Sequence, residues 1–226
     1  MTETRDVAIV LAKYPAPGRV KTRLIGAFTA EQAAQVHRRC LRLTLDCLHA
    51  AGRVEIVLAG SPDGADFAEF LPPAARLLSQ GEGNLGARLA QVVERIFEAG
   101  ASRVLLVGSD CPAMRPQDVT TALDLLDRVD VVVGPALDGG YYLLGLRGPE
   151  TGLFTSIDWS TPRVLAQTLA RAAEMGLSHT LIDERRDVDE VGDMMALLDE
   201  IADDDPRLGP FKEFVRSMFR QGKHRE

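Results

Sequence analysis

Short runs rich in Val, Ile and Leu alternate with amphipathic stretches along the whole chain, the pattern of strands that crossover helices bury on both faces. The runs predict strands at Val7 to Ala12, Arg53 to Gly60, Ala75 to Gln80, Arg103 to Gly108, Val129 to Gly134, Tyr141 to Leu146 and His179 to Ile182. Together they predict an α/β protein with a mixed sheet. The clearest helix begins at Thr29, where Thr29 and Gln32 have capping-box spacing, and ends before Gly52. Its inward stripe is Ala33, His37, Cys40, Leu41, Thr44 and Leu48. A second helix, Leu85 to Glu98, sets Leu89, Val92, Val93, Ile96 and Phe97 on one face. Further helices are expected at Gln117 to Arg128, Thr161 to Met175, Asp193 to Ala202 and Pro210 to Phe219, and the polar tail from Arg220 to Glu226 is expected to fray. With no internal repeat and no low-complexity linker, residues 1–226 read as a single domain.

Charge and cysteine usage narrow the function classes. Lys and Arg number 26 against 33 Asp and Glu, so a nucleic acid backbone finds no general attraction, and a small anionic ligand needs a local basic site. Cys40, Cys47 and Cys111 form no CxxC pair and leave an odd count, which argues against a disulfide framework or structural zinc. No apolar run approaches the ~20 residues of a membrane span, and the first residues lack a signal-like apolar region. A cytoplasmic protein without a membrane span is expected.

Three loops carry candidate chemistry. The first, Lys13-Tyr-Pro-Ala-Pro-Gly-Arg-Val-Lys-Thr-Arg23, holds four cations and no acid. At the carboxyl edge of a parallel sheet, its backbone N–H groups with Lys21 and Arg23 suit phosphate oxygens, although a solvated basic loop has the same composition. It is not a P-loop, because Gly18 and Lys21 lack the required spacing. The second, Gly108-Ser-Asp-Cys-Pro112, follows the apolar run Val104 to Val107 and places Asp110 at the end of a central strand. There it is either a ligand to Mg²⁺, which typically takes one or two protein carboxylates, or an N-cap or turn residue. The third, Gly134 to Leu146, contains Asp138-Gly-Gly-Tyr-Tyr142; its glycines permit close approach of a ligand, and Asp138 is either a ligand group or a turn residue. Acids return at Asp183 to Glu190, where a metal ligand or a helix N-terminal acid run is equally consistent.

Gly81-Glu-Gly-Asn-Leu-Gly86 satisfies G-x-G-x-x-G after a predicted strand. A dinucleotide site there would put Glu82 beside a pyrophosphate and leave the basic loop without a role. His37, His49, His179 and His224 form no HExxH, and no G-x-S-x-G elbow is present. Cys111 lies in the candidate site, where a small buried thiol is the commoner case.

Six segments together resemble the nucleotide-diphospho-sugar transferase superfamily, and within it a bacterial glycosyltransferase group known as radical-SAM/selenodomain-associated transferases. They are Lys13-x-Pro-x-Pro-Gly-x-Val-Lys-Thr-Arg-Leu24, Gln80-Gly-Glu-Gly-Asn-Leu-Gly-x-Arg-Leu89, Gly108-Ser-Asp-Cys-Pro112, Gly134-Pro-Ala-x-Asp-Gly-Gly-Tyr-Tyr-Leu-Leu144, Trp159-Ser-Thr161 and Asp187-Val-Asp189. The resemblance implies a three-layer α/β/α sandwich of GT-A type with a mostly parallel mixed sheet. It implies nucleotide binding by Lys13, Gly18, Lys21, Arg23, Gln80, Gly81, Asn84 and Leu85, where Asn84 departs from the acid expected at that position. It also implies Mg²⁺ or Mn²⁺ on Asp110 and Asp189, with Asp187 as the rival ligand. Asp110, Lys21 and Asp138 are the catalytic candidates, and Asp138, Gly139, Gly140, Tyr141 and Trp159 the acceptor site. The implied reaction is glycosyl transfer from a nucleotide sugar or nucleotidyl transfer from a triphosphate to a small phosphorylated acceptor. A module that binds a nucleotide without turnover is the alternative of a different class.

Overall fold

The protein is seen here as a computed structural model that describes residues 4–222. In chain order the elements are β1 (Asp6–Lys13), α1 (Ala30–Ala51), β2 (Glu55–Ser61), β3 (Arg76–Ser79), α2 (Leu85–Glu98), β4 (Arg103–Gly108), α3 (Pro116–Leu125), β5 (Val131–Pro135), β6 (Tyr141–Leu146), α4 (Val164–Glu174), β7 (His179–Leu181), α5 (Val191–Glu200) and α6 (Gly209–Gly222). The strands form one sheet in the order β3-β2-β1-β4-β6-β5-β7. All pairings are parallel except those of β6, which runs antiparallel to both β4 and β5. The reversal follows from the short Asp138 turn, closed by Ala136 N–H donating to the Gly140 carbonyl at 3.0 Å; a turn this short can join only antiparallel neighbours.

Two apolar layers cover the sheet, which makes the three-layer α/β/α sandwich expected of a GT-A fold. Ala8, Val10 and Ala12 pack with Leu41, Leu45 and Leu48 of α1 and Val119 and Leu123 of α3. Val7 and Ile9 point the other way, onto Leu89, Val92, Val93 and Ile96 of α2 and Ala172 of α4. This alternation is the two-residue period of a strand, with both faces apolar because helices lie on each. The N-terminal half of α1 belongs to a third cluster, where Ala33, Val36 and Cys40 meet Leu24, Phe28 and Val188 and the apolar faces of α5 and α6.

Several boundaries move for local reasons. The helix expected from Thr161 begins at Val164, because the Thr161 hydroxyl donates to the Asp158 carbonyl at 2.7 Å and holds the preceding residues in a turn. The helix expected to reach Arg128 ends at Leu125, where turn bonds to the Ala122 and Leu125 carbonyls tighten residues 126–129. Fraying was expected from Arg220, but α6 continues to Gly222; residues 223–226, with His224, lie outside the described part. Cys40, Cys47 and Cys111 are buried free thiols. Among the described residues no helix is long and apolar enough to cross a membrane.

Candidate functional site

The carboxyl ends of β1 and β4 and the start of β6 meet at one edge of the sheet, since Leu11 pairs with Gly108 and Val107 with Leu143. A cleft of about 950 Å³ opens there, a size that suits a small-molecule ligand. The chain after β7 crosses back over this edge. It follows β5, with Arg185 N–H donating to the Pro135 carbonyl at 3.0 Å, and then docks on β4 through Val188 N–H to the Asp110 carbonyl at 2.9 Å. Two anchors hold this crossing. Arg185 grips Asp118 of α3 with bonds of 2.7 and 3.0 Å, and Val188 is fully buried in the third cluster. Asp187 and Asp189, on either side of Val188, therefore line the cleft beside Asp110.

Lys21 neutralises part of this acid group. Its ammonium nitrogen lies 2.5 Å from Asp110 Oδ1 and 2.8 Å from Asp189 Oδ1, and its side chain is only 4% exposed. Val20 and Leu24, both buried, pin the loop on either side. Between them Lys21 adopts a left-handed backbone, φ 47° and ψ 41°, which costs an L-residue about 1–2 kcal/mol and is sustained by the surrounding contacts. Burial pushes the ammonium toward neutrality, but Asp110 and Asp189 outweigh it and hold the pKa above the ordinary lysine value. Burial likewise pushes Asp110 up, and the Lys21 charge, helped by contact with His37, reverses the effect and holds the carboxyl well below the usual carboxylate range. His37, buried on α1, donates from Nε2 to the Lys13 carbonyl at 3.0 Å and sets Nδ1 3.5 Å from Asp110 Oδ1. It thus ties the end of β1 to the acid at the end of β4.

Asp187 has no such cation. Its Oδ1 is buried without a hydrogen-bond partner, and burial, followed by the charges of Asp110 and Asp138, pushes its pKa up to about 7. No three His, Cys, Asp or Glu side chains among the described residues gather tightly enough to cage a metal unaided. The donor set nevertheless suits a hard cation: carboxylate oxygens gather around a single ammonium, and two of them, Asp110 Oδ1 and Asp187 Oδ1, are buried without a hydrogen bond. Mg²⁺ and Mn²⁺ favour such oxygens and take further positions from water and substrate phosphate.

The cleft brings together most of the residues singled out from sequence. Lys13, Lys21, Arg23, Gln80, Leu85, Asp110, Asp138, Gly140, Tyr141, Trp159, Asp187 and Asp189 line it, whereas Gly18, Gly81, Asn84 and Gly139 do not. Asn84 is instead the N-cap of α2, accepting from Ala87 N–H at 2.9 Å, and Gly81 packs under the Gln91 side chain. Gly139, at φ +86°, lies so close to the backbone of Pro162 that no Cβ fits. That contact seats the Asp138 turn on the start of α4, where the Gly139 carbonyl accepts from Leu165 N–H at 2.9 Å. Gly86 likewise makes room for Trp159: a Cβ there would stand 2.7 Å from the indole nitrogen. The glycines of the G-x-G-x-x-G pattern thus serve turns and packing.

Gln80 is more a brace than a free contact. Its buried amide donates to the Ala12 and Ala59 carbonyls at 3.0 and 2.8 Å, and its oxygen accepts from Arg88 at 2.8 Å. Arg88 escaped the sequence reading as a site residue. It lines the cleft with a buried Nε that has no partner, and the signal available was its place in the first turn of α2 within the Gln80 to Leu89 motif. Arg19 also lines the cleft. Lys13, Arg19 and Arg88 have no acidic partner among the described residues, while Arg23, 59% exposed, faces Glu190 at 3.8 Å. The cleft therefore has an acidic floor and a basic rim.

A family model described as "Uncharacterized protein conserved in bacteria (DUF2064)" matches residues 44–161. No curated protein matches the chain. Among solved structures, a "putative nucleotide-diphospho-sugar transferase" from Desulfovibrio desulfuricans G20 is 29% identical, with 97% of this chain and 99% of that chain covered and a TM-score of 0.85. A CMP:2-keto-3-deoxy-manno-octonic acid synthetase complexed with CTP is 14% identical over 86% of this chain and 97% of that chain, with a TM-score of 0.55. Rv0371c from Mycobacterium tuberculosis H37Rv, in complex with manganese, is 21% identical over 88% of this chain and all (100%) of that chain, with a TM-score of 0.56. At such identities these last two likenesses establish the fold alone. The chain belongs to the DUF2064 family and has the fold of the nucleotide-diphospho-sugar transferases.

Proposed function

We propose that this protein is a nucleotide-dependent transferase, assisted by Mg²⁺ or Mn²⁺, that moves a glycosyl group from a nucleotide sugar to a small acceptor. The observation that carries the reading is the pairing of an acidic floor with a basic rim in one cleft: Asp110, Asp187 and Asp189 below, and Lys13, Arg19, Arg23 and Arg88 around it. The Desulfovibrio structure, described as a "putative nucleotide-diphospho-sugar transferase", supports it, as does the manganese in the Rv0371c complex. In this reading the rim cations take the donor phosphates, and Asp110 with Asp189 holds the divalent ion, with Asp187 beside them. Once bound, such an ion supplies charge neutralisation to the departing phosphate.

The chain's own groups do the positioning. His37 holds Asp110 in place, and Arg185 with Val188 holds Asp189. The Asp138 turn presents a carboxylate to the acceptor: Oδ1 accepts from Gly140 N–H at 2.9 Å, leaving Oδ2 to receive an acceptor hydroxyl. Tyr141 and Trp159 form the adjoining wall. We read the protein as a single domain acting in the cytoplasm, where three free thiols are at home.

Nucleotidyl transfer is the second reading. It is favoured by the number of rim cations, which suits a triphosphate better than a diphosphate, and by the CTP-bound synthetase of the same fold. A thermal-shift panel of nucleoside triphosphates and nucleotide sugars, each with and without Mn²⁺, separates the two, because a ligand at ~100 times its dissociation constant adds ~2.7 kcal/mol. Stabilisation by nucleotide sugars with Mn²⁺ supports glycosyl transfer, and stabilisation by triphosphates alone supports nucleotidyl transfer. Stabilisation by neither removes both. A ligand that stabilises the protein, yet yields no product with any acceptor, leaves a binding module.

A further inference from the structure

Of the four cations from Lys13 to Arg23, three are exposed at the cleft and one is folded beneath. Lys21 alone reaches the floor, from a left-handed backbone position in a loop anchored by the buried Val20 and Leu24. Its nitrogen touches Asp110 Oδ1 and Asp189 Oδ1, the carboxylates that the proposed function gives to the divalent ion. The floor is still under-neutralised, since Asp187 keeps an orphaned buried oxygen beside the pair.

We infer that Lys21 is the resident counter-ion of the cation site, displaced when the divalent ion binds and delivered to the donor phosphate. An ammonium and a divalent ion held at the same two oxygens repel each other at close range and compete for the same carboxylate charge, so binding of the ion disfavours the lysine contact. The ion carries two charges into a group of three carboxylates, so it satisfies the floor better than one ammonium does. Released, the lysine has one open direction, the cleft, where donor phosphate offers it new charge-assisted bonds. Divalent ion and nucleotide then assist each other: the ion frees the lysine that the phosphate uses, and by linkage the nucleotide tightens the ion to the same degree. The inference rests on the reading of the acidic floor as a cation site.

The test is Mn²⁺ affinity without nucleotide, read from the electron paramagnetic resonance of free Mn²⁺, for the wild type, Lys21→Met and Arg19→Met. Lys21→Met should bind Mn²⁺ roughly 5- to 150-fold more tightly, the usual span of a coupling between sites. Arg19→Met removes the same charge from the rim of the same cleft and should change affinity by less than about threefold, which separates displacement from a general loss of positive field. Equal or weaker binding by Lys21→Met, or an equal gain in both variants, overturns the inference. A second measurement uses the wild type alone, in case Lys21→Met does not fold. Amine acylation at Lys21, read by peptide mass spectrometry, should rise several-fold on saturation with Mn²⁺; unchanged labelling overturns the inference. If the wild type binds no Mn²⁺ even with nucleotide present, the cation-site reading itself falls and the inference falls with it. That outcome is distinct from Mn²⁺ binding that ignores Lys21.

Discussion

Replacing Asp187 by Asn should stabilise the protein at neutral and alkaline pH while weakening the site. In the folded state the Asp187 carboxyl is pushed from its ordinary 3.8 up to about 7, by burial first and then by Asp110 and Asp138. A raised carboxyl pKa means that the folded state holds the proton more tightly than the unfolded chain. Below about pH 4 the group is protonated in both states and contributes no penalty. The penalty grows through the window from about pH 4 to pH 7 and is complete above it, reaching about 4 kcal/mol at about 1.4 kcal/mol per pH unit. Asn keeps the shape, carries no charge, and its amide can donate toward the neighbouring carboxylates. With EDTA present, Asp187→Asn should therefore be more stable than the wild type, and the gain should widen by about 2–3 kcal/mol between pH 5 and pH 8. Urea unfolding at a series of pH values measures this directly. A gain that does not change with pH, or a loss at pH 8, would refute the reasoning. Excess Mn²⁺ should narrow the difference by stabilising the wild type, in keeping with the exchange of stability for function common at charged sites.

Asp118→Ala leaves the Arg185 guanidinium without its bidentate partner; a loss of about 3–5 kcal/mol is expected in urea unfolding, together with faster tryptic cleavage after Arg185 and Arg186. Gly139→Ala meets both a positive φ of 86° and the Pro162 backbone, and should lower stability by more than about 2 kcal/mol, whereas Gly18→Ala, at φ 73° in open space, should lose only about 1 kcal/mol. Asn84→Ala removes the cap of α2 and should lower the thermal midpoint by the equivalent of about 1 kcal/mol. Asp110→Asn should abolish Mn²⁺-dependent stabilisation by nucleotide with the circular dichroism spectrum unchanged; retained stabilisation would take Asp110 out of the site.

The class of fold and several of the residues that line the cleft were readable from sequence. Short apolar runs such as Val104 to Val107, repeated between amphipathic stretches, fit strands covered on both faces, and the stripe from Ala33 to Leu48 fits a helix packed on its neighbours, so both were legible locally. Loop composition likewise marked Lys13 to Arg23, Asp110, Asp138 and Asp187 to Asp189, because cations, acids and glycines gathered at strand ends have few other uses. Local pattern does not report partners far along the chain. That Lys21 turns beneath its loop to meet Asp110 and Asp189, 89 and 168 positions away, depends on the left-handed turn at Lys21 and on the crossing segment held by Arg185 and Val188. Whether Gln80 touches a ligand or braces Ala12 and Ala59 depends on where three strands end, and the place of Arg88 and His37 depends on which helix face meets the sheet edge. These are questions of long-range packing and charge. Neutralisation of the acidic floor by Lys21 exists only once β1, β4 and the returning chain stand side by side.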